Sequence, residues 1–218
     1  MEFMDLVRKR QSVRKFKPGD VPNEDIRQML EAARLSPSGK NSQNWHFVVI
    51  KRRDLLEKIG AAISKKSESI ASRMDPIDET KALRFRKFTK NFTLFFLNAP
   101  VLIVVYACDY FPSGYPELSL INEKKGDLDR LFMRNPGMQN LGAAIEHLSL
   151  RAVELGYGSC WMTSQNYAAD EIEEVLKTEI GFQKDGYYLA AMLSVGIPED
   201  DLKSPGRKSI EEISTFVE

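Results

Sequence analysis

Arginine supplies the first recognisable chemistry in this chain. Residues 10–16 read RQSVRKF. In an extended segment alternate side chains fall on one face, so Arg10, Ser12 and Arg14 share a side. Two planar guanidinium forks flanking a hydroxyl make an anion cradle, with bidentate donors for a phosphate and one more donor between them. Taken alone, the same residues also read as a solvated basic run from Lys9 to Lys17. The cradle gains weight from a second polar motif two dozen residues later, SPSGKNSQNWHF at 36–47, where Ser38, Gly39, Lys40 and Asn41 form a tight loop.

Other machinery is sparse. No GxGxxG follows a strand. Gly39-Lys40 lacks the earlier glycine of a P-loop, whose place Arg34 takes, and Asn41 follows where Ser or Thr is required. The only histidines are His46, at the entry to a strand, and His147, within an apolar helix; both read as hydrogen-bonded structural residues, leaving no raw material for a triad. Cys160, beside Trp161, reads as a small buried hydrophobe. With Cys108 far away and no CxxC, neither a zinc knot nor a disulfide framework is expected, and a reducing compartment is.

The elements that must position these residues follow from periodicity. Helices are predicted at 3–9, from about Pro22 with Ile26, Met29, Leu30 and Ala33 inward, and at 54–63. A short strand spans 47–50. Residues 64–98 are charged and hard to parse, although Phe85, Phe88, Phe92, Phe95 and Phe96 form a helical aromatic stripe, by default core. VLIVVYACD at 101–109 is a continuous β-branched run, as in a central strand covered on both faces. A partly helical excursion at 110–135 is long enough to cover a pocket. The best-defined helix runs over 136–155, with Asn135 as cap, Pro136 in the first turn and Gly156 as left-handed terminator. It is apolar on more than one side, which predicts a central or intersubunit position. Strands at 159–163 and 188–195 flank a helix near 169–177, and 213–217 reads as a short strand reaching a partner subunit.

One domain, 1–218, is expected from 218 residues without a linker. The 31 basic and 31 acidic residues balance, so no global field draws the chain to nucleic acid or an anionic membrane. With no signal-like or membrane-length apolar run, the expected location is cytoplasmic.

Taken in order, RQSVRKF, PSGKNSQNWHF, VLIVV, NLGAAIEHLSLRAVELGYGSCWMT, and the terminal VGIP and PGRK resemble the FMN-dependent nitroreductase family. The resemblance implies an α+β nitroreductase-like fold, with a central, mainly antiparallel sheet flanked by helices. It also implies a domain-swapped homodimer holding two FMN molecules at its interface. Arg10, Gln11, Ser12 and Arg14 match the family's first flavin-contacting segment, and Arg207 with Lys208 its C-terminal phosphate pair. Pro37, Ser38, Gly39, Asn41 and Gln43 match the loop that reaches the flavin from the other subunit. Met162, Thr163 and Ser164 match the segment whose backbone N–H groups face the ring's central nitrogen. The chain departs at Asn44, where proline is usual, at Thr163-Ser164, where a glycine-containing pair is frequent, and at Pro205, where a basic residue is common.

The implied activity is that of a ping-pong FMN oxidoreductase. NADH or NADPH reduces the flavin and departs, and a small-molecule acceptor such as a nitroaromatic or quinone takes the same slot. Arg14 would tune the ring electrostatically while Arg10 and Arg207 anchor the phosphate. Alternatives on the same fold are flavin fragmentation, reductive dehalogenation and substrate dehydrogenation; a non-catalytic flavin-binding protein is a third class.

Overall fold

The computed structural model describes residues 2–121, 124–200 and 204–218. Its centre is a four-stranded antiparallel sheet in the order β1-β2-β4-β3, from β1 (Trp45–Ile50), β2 (Val101–Cys108), β3 (Gly158–Met162) and β4 (Tyr187–Gly196). The run read as a central strand is β2, and its alternation divides the core. Val101, Ile103, Val105 and Ala107 enter one apolar cluster, while Leu102, Val104 and Tyr106 enter the other.

Helix α2 (Asn23–Arg34) and helix α7 (Pro136–Glu154) bury Ile26, Met29, Ala33, Leu141, Ala144, Ile145 and Leu148 against the first cluster. The opposite face is covered by α3 (Arg53–Met74) and α8 (Ala169–Ile180), through Leu55, Leu56, Ile59, Ile63, Ile172 and Leu176. Around this core lie α1 (Phe3–Lys9), α4 (Glu79–Phe88), α5 (Tyr115–Leu120), α6 (Lys125–Met133) and α9 (Ile210–Ile213). Truncating a side chain such as Leu148, fully buried at the α7–sheet contact, would cost roughly 2–5 kcal/mol.

Four expectations are corrected. The helix expected at 54–63 continues through Met74, because Ser67 and Ala71 extend its buried face through a charged stretch. The aromatic stripe does not form one core face. A π-helical turn at Thr89–Thr93 shifts its phase, so Phe95 and Phe96 are buried while Phe88 and Phe92 stack on each other at the surface. Asn135 does stand at the N-cap of α7, but at φ 51° its side chain makes no capping hydrogen bond. At the carboxyl end, Ile213, expected to open a strand at 213–217, instead closes a helix at 210–213 whose Ser209–Glu212 capping box satisfies the first turn; residues 214–218 pair with no strand among the described residues.

Elsewhere, α7 ends as expected. Gly156, at φ 88°, lets Tyr157 N–H reach back to Ala152 O at 2.8 Å. The excursion forms α5 and α6 around a three-ring cluster of Phe111, Tyr115 and Phe132; residues 122 and 123 of it lie outside the described residues.

Candidate functional site

The basic segment is laid along the free edge of β3. Val13 N–H donates to Ser159 O at 2.9 Å, Ser12 bridges Ser159 in parallel sense, and Lys17 N–H donates to Ile197 O at 2.8 Å. Val13 and Phe16 are buried, which turns Ser12 and Arg14 outward. Gly158 makes this approach possible: a Cβ there would stand 2.5 Å from Val13 Cγ2, so Val13 lies flat on the strand.

Outward of that edge is a cavity of about 370 Å³, walled by Arg10, Ser12, Glu146, Ser149, Ser159, Trp161 and Thr163. Its size falls within the range of small-ligand pockets. Arg10 Nε lies 3.4 Å from Glu146 Oε1, an α7 carboxylate that aims the guanidinium across the opening. Trp161 is 45% exposed on a strand whose other residues are buried, so the cavity has an aromatic wall as well as hydroxyl and guanidinium donors.

Arg14 does not join Arg10 in that cavity. It lines the neighbouring cleft with Lys15, Pro18, Leu97 and Asn98, its guanidinium 5.9 Å from the Phe95 ring centroid. The three-residue cradle read from alternation is therefore divided between two spaces, with Ser12 on the Arg10 side. Cys160 is buried in β3 within electrostatic reach of both arginines. Burial pushes its thiol up, against the opposing pull of Arg14, a hydrogen bond with Ser12, and Arg10. The thiol stays protonated and unreactive.

Met162, Thr163 and Ser164 turn the chain out of β3. Asn166 N–H donates to Thr163 O at 3.1 Å, and the fully buried Gln165 donates through Nε2 to Met162 O at 3.3 Å. Asn166 Nδ2 donates to Ala190 O at 2.8 Å; Ala190 is the extra residue of a β-bulge where the β2–β4 register shifts. The turn is thus fixed from the sheet side, leaving Thr163 free to face the cavity.

The loop at 37–43 is pinned elsewhere on α7. Gly39 N–H donates to Asn140 Oδ1 at 3.0 Å, Gln43 N–H to Ser38 Oγ at 3.0 Å, and Gln43 Nε2 to Asn41 Oδ1 at 3.2 Å. Lys40, Asn41 and Gln43 all adopt positive φ, and Pro37 lies just after Ser36, whose Oγ is 2.8 Å from His147 Nδ1. That contact gives His147 the structural partner expected of it. His46 instead stacks on Phe182, and burial with the nearby Lys184 holds its pKa below the ordinary value. None of the loop residues lines the Arg10 cavity of its own chain.

The carboxyl end approaches from the other side. Ser204 Oγ donates to Gln11 Oε1 at 3.1 Å and Lys17 Nζ pairs with Asp200 at 2.7 Å, so the two ends of the chain meet at this edge. Arg207 and Lys208 follow, exposed, and Arg207 Nη1 donates to Pro205 O at 3.5 Å. Glu146, Ser149, Ser159 and Trp161 were not among the residues singled out from sequence. The readable signal was Trp161 itself, a large aromatic on the outward phase of a short strand.

Fold and cavity together define an α+β protein with an arginine- and hydroxyl-lined cavity at the free edge of its sheet. The chain belongs to the Nitroreductase family, whose match spans residues 7–197. It is 63% identical to a BluB-like flavoprotein from Clostridium difficile 630, over 100% of both chains, with a TM-score of 0.98. It is 26% identical to an iodotyrosine deiodinase from Thermotoga neapolitana, over 97% of each chain. A nitroreductase with bound FMN from Bacteroides fragilis NCTC 9343 shares the fold at 21% identity, over 100% of both chains, with a TM-score of 0.71.

Proposed function

We propose that this chain is an FMN-dependent oxidoreductase working as a homodimer, with the Arg10–Thr163 cavity as the core of its cofactor site. The observation that carries this reading is the donor set of that cavity. One guanidinium, oriented by the Glu146 carboxylate, faces a space of about 370 Å³ together with several hydroxyls and an indole, a chemistry suited to a phosphorylated, ring-bearing cofactor. Similarity to a flavoprotein at 63% identity and to an FMN-bound family member supports the choice of flavin.

When bound, FMN supplies the redox chemistry, taking reducing equivalents from NADH or NADPH and passing them to an oxidised acceptor such as a nitroaromatic or quinone. The protein's part is to bind and orient. Arg10 and Ser12 hold the phosphate-bearing tail, and Arg207 with Lys208 add charge from the carboxyl end, which the Ser204–Gln11 bond keeps nearby. Met162, Thr163 and Ser164 would present backbone N–H groups to the ring. Arg14, in the neighbouring cleft, would offer positive charge to its pyrimidine edge and so favour reduction.

A second subunit completes the site. Pro37, Ser38, Gly39, Asn41 and Gln43 would reach the partner's cofactor. The exposed Phe3, Met4, Ile210, Ile213, Phe216 and Val217 supply apolar surface for association. The free thiols of Cys108 and Cys160 fit a reducing, cytoplasmic setting.

Reductive dehalogenation of an aromatic acceptor is the second reading, favoured by the deiodinase similarity along nearly the whole chain. Steady-state assays of FMN-loaded protein separate the two. NAD(P)H oxidation that depends on an added quinone or nitroaromatic supports the first; halide release from a halophenol, with dithionite as the two-electron reductant of the flavin and no quinone- or nitroaromatic-dependent turnover, supports the second. Loaded protein inert in both assays would contradict an oxidoreductase role.

A further inference from the structure

Asn44 stands where the family resemblance leads one to expect proline, and its surroundings give it a task. It is 2% exposed and Asn140 is 8% exposed. Asn44 Nδ2 donates to Cys108 O at 3.2 Å and to Gly137 O at 3.4 Å. Those two carbonyls are the roots from which the excursion leaves β2 and re-enters α7. Asn44 Oδ1 in turn accepts from Asn140 Nδ2 at 2.8 Å, and Asn140 Nδ2 also donates to Ser42 Oγ at 3.3 Å while its Oδ1 accepts from Gly39 N–H. All four amide N–H bonds of the pair are engaged, which fixes the orientation of both side chains.

Further contacts join the same two segments. A Cβ on Gly39 would lie 2.4 Å from Tyr110 Oη, and Lys40 Nζ donates to Phe111 O at 3.3 Å. Lys40, Asn41 and Gln43 hold left-handed conformations that cost a non-glycine residue roughly 1 kcal/mol or more each. A loop so strained keeps its shape only if its surroundings over-determine it, and the two buried amides do so.

We propose that Asn44 and Asn140 form a clamp locking the 37–43 loop to both roots of the excursion, so that the cofactor-facing loop and the acceptor-covering segment move as one body. Both are positioning residues. The inference rests on the FMN-dependent reading above and deepens it: cofactor affinity and acceptor affinity should be coupled through this pair.

The test uses full-length, FMN-loaded protein. Asn44→Asp keeps the acceptor for Asn140 but turns a carboxylate oxygen toward two carbonyls, and Asn140→Asp keeps the acceptor for Gly39 while losing both donors. Ser67→Ala, which breaks the buried Ser67–Thr89 hydrogen bond far from the clamp, is the stability control. Both Asp variants should raise the FMN Kd about tenfold or more and the acceptor KM with it. Ser67→Ala should change neither, even at an equal loss of Tm. Hydrogen exchange on the wild-type protein adds a readout that needs no variant, since added FMN should slow exchange in residues 38–44 and 108–112 together. Wild-type affinity and KM in the Asp variants, or FMN protection confined to the loop, would overturn the clamp. Wild-type protein that takes up no FMN would instead defeat the functional reading beneath it.

Discussion

Adding a single methyl group at Gly158 should loosen both the fold and the cofactor site. An alanine Cβ there would lie 2.5 Å from Val13 Cγ2, 2.8 Å from Val13 Cβ and 2.9 Å from Val13 Cγ1, against the roughly 3.5–4.0 Å of an unstrained carbon contact. Because Cβ itself clashes, no rotation about χ1 relieves the overlap. The Val13 backbone must withdraw, stretching the Val13 N–H to Ser159 O bond that holds Arg10 and Ser12 at the cavity. Overpacking of this kind costs about 1–3 kcal/mol. For a chain of this size that lowers Tm by roughly 2–12 °C in the FMN-free protein. Displacement of the two donors should also weaken FMN binding by about tenfold, the loss of one charge-assisted hydrogen bond. Val13→Ala removes both terminal methyls but leaves Cβ, so Gly158→Ala with Val13→Ala should recover part of both losses, with a coupling of about 0.5–3 kcal/mol. Thermal unfolding and FMN titration of the two single variants and the double read all of this. Gly158→Ala with unchanged Tm and affinity, or strictly additive effects in the double variant, would refute the packing argument.

Arg10→Ala should weaken FMN binding by about 1.5–3 kcal/mol, and Arg10→Lys should recover part of it, as isothermal titration would show; equal affinity in all three proteins would exclude a phosphate role. Arg14→Ala should slow flavin reduction by NAD(P)H more than Ser12→Ala does, which stopped-flow absorbance can follow; equal, negligible effects would remove Arg14 from the ring environment. His46 titrates below its ordinary 6.5 when folded, because it is half-buried and Lys184 lies nearby. Protons therefore bind the unfolded chain more readily, so stability is full above pH 6.5 and declines as the pH falls below it. His46→Gln should flatten that acid-side decline in denaturant titrations, and an identical slope in both proteins would contradict the assignment.

What could be read in advance depended on how much burial each element required. The β2 run is apolar on both faces because helices cover both, so its composition alone announces a central strand. Helices α2 and α7 likewise carry wide apolar stripes and glycine or proline punctuation. The stretch after Ile63 was opaque because α3 continues with a narrow buried face of Ser67 and Ala71 among charged residues, and because the π-turn after Phe88 breaks the aromatic period. In the site, the basic segment was legible as an anion cradle, yet strict alternation fails after Val13: Phe16 rather than Lys15 is the next buried residue, and Arg14 swings to a different cleft. Asn140, Glu146 and Trp161 act through contacts more than ninety positions or a whole helix away, which no local pattern encodes. The helix at 210–213 did have a signal, Ser209 with Glu212 three residues on, the spacing of a capping box.

The central claim is that the sheet edge carrying Arg10 and Ser12 is a flavin mononucleotide site. The visible absorption spectrum of the purified protein, followed by denaturation and identification of the released chromophore, tests it most directly. A yellow protein that releases one FMN per chain is the expected result. A colourless protein that also fails to bind added FMN, with tryptophan fluorescence unquenched across the titration, would contradict it.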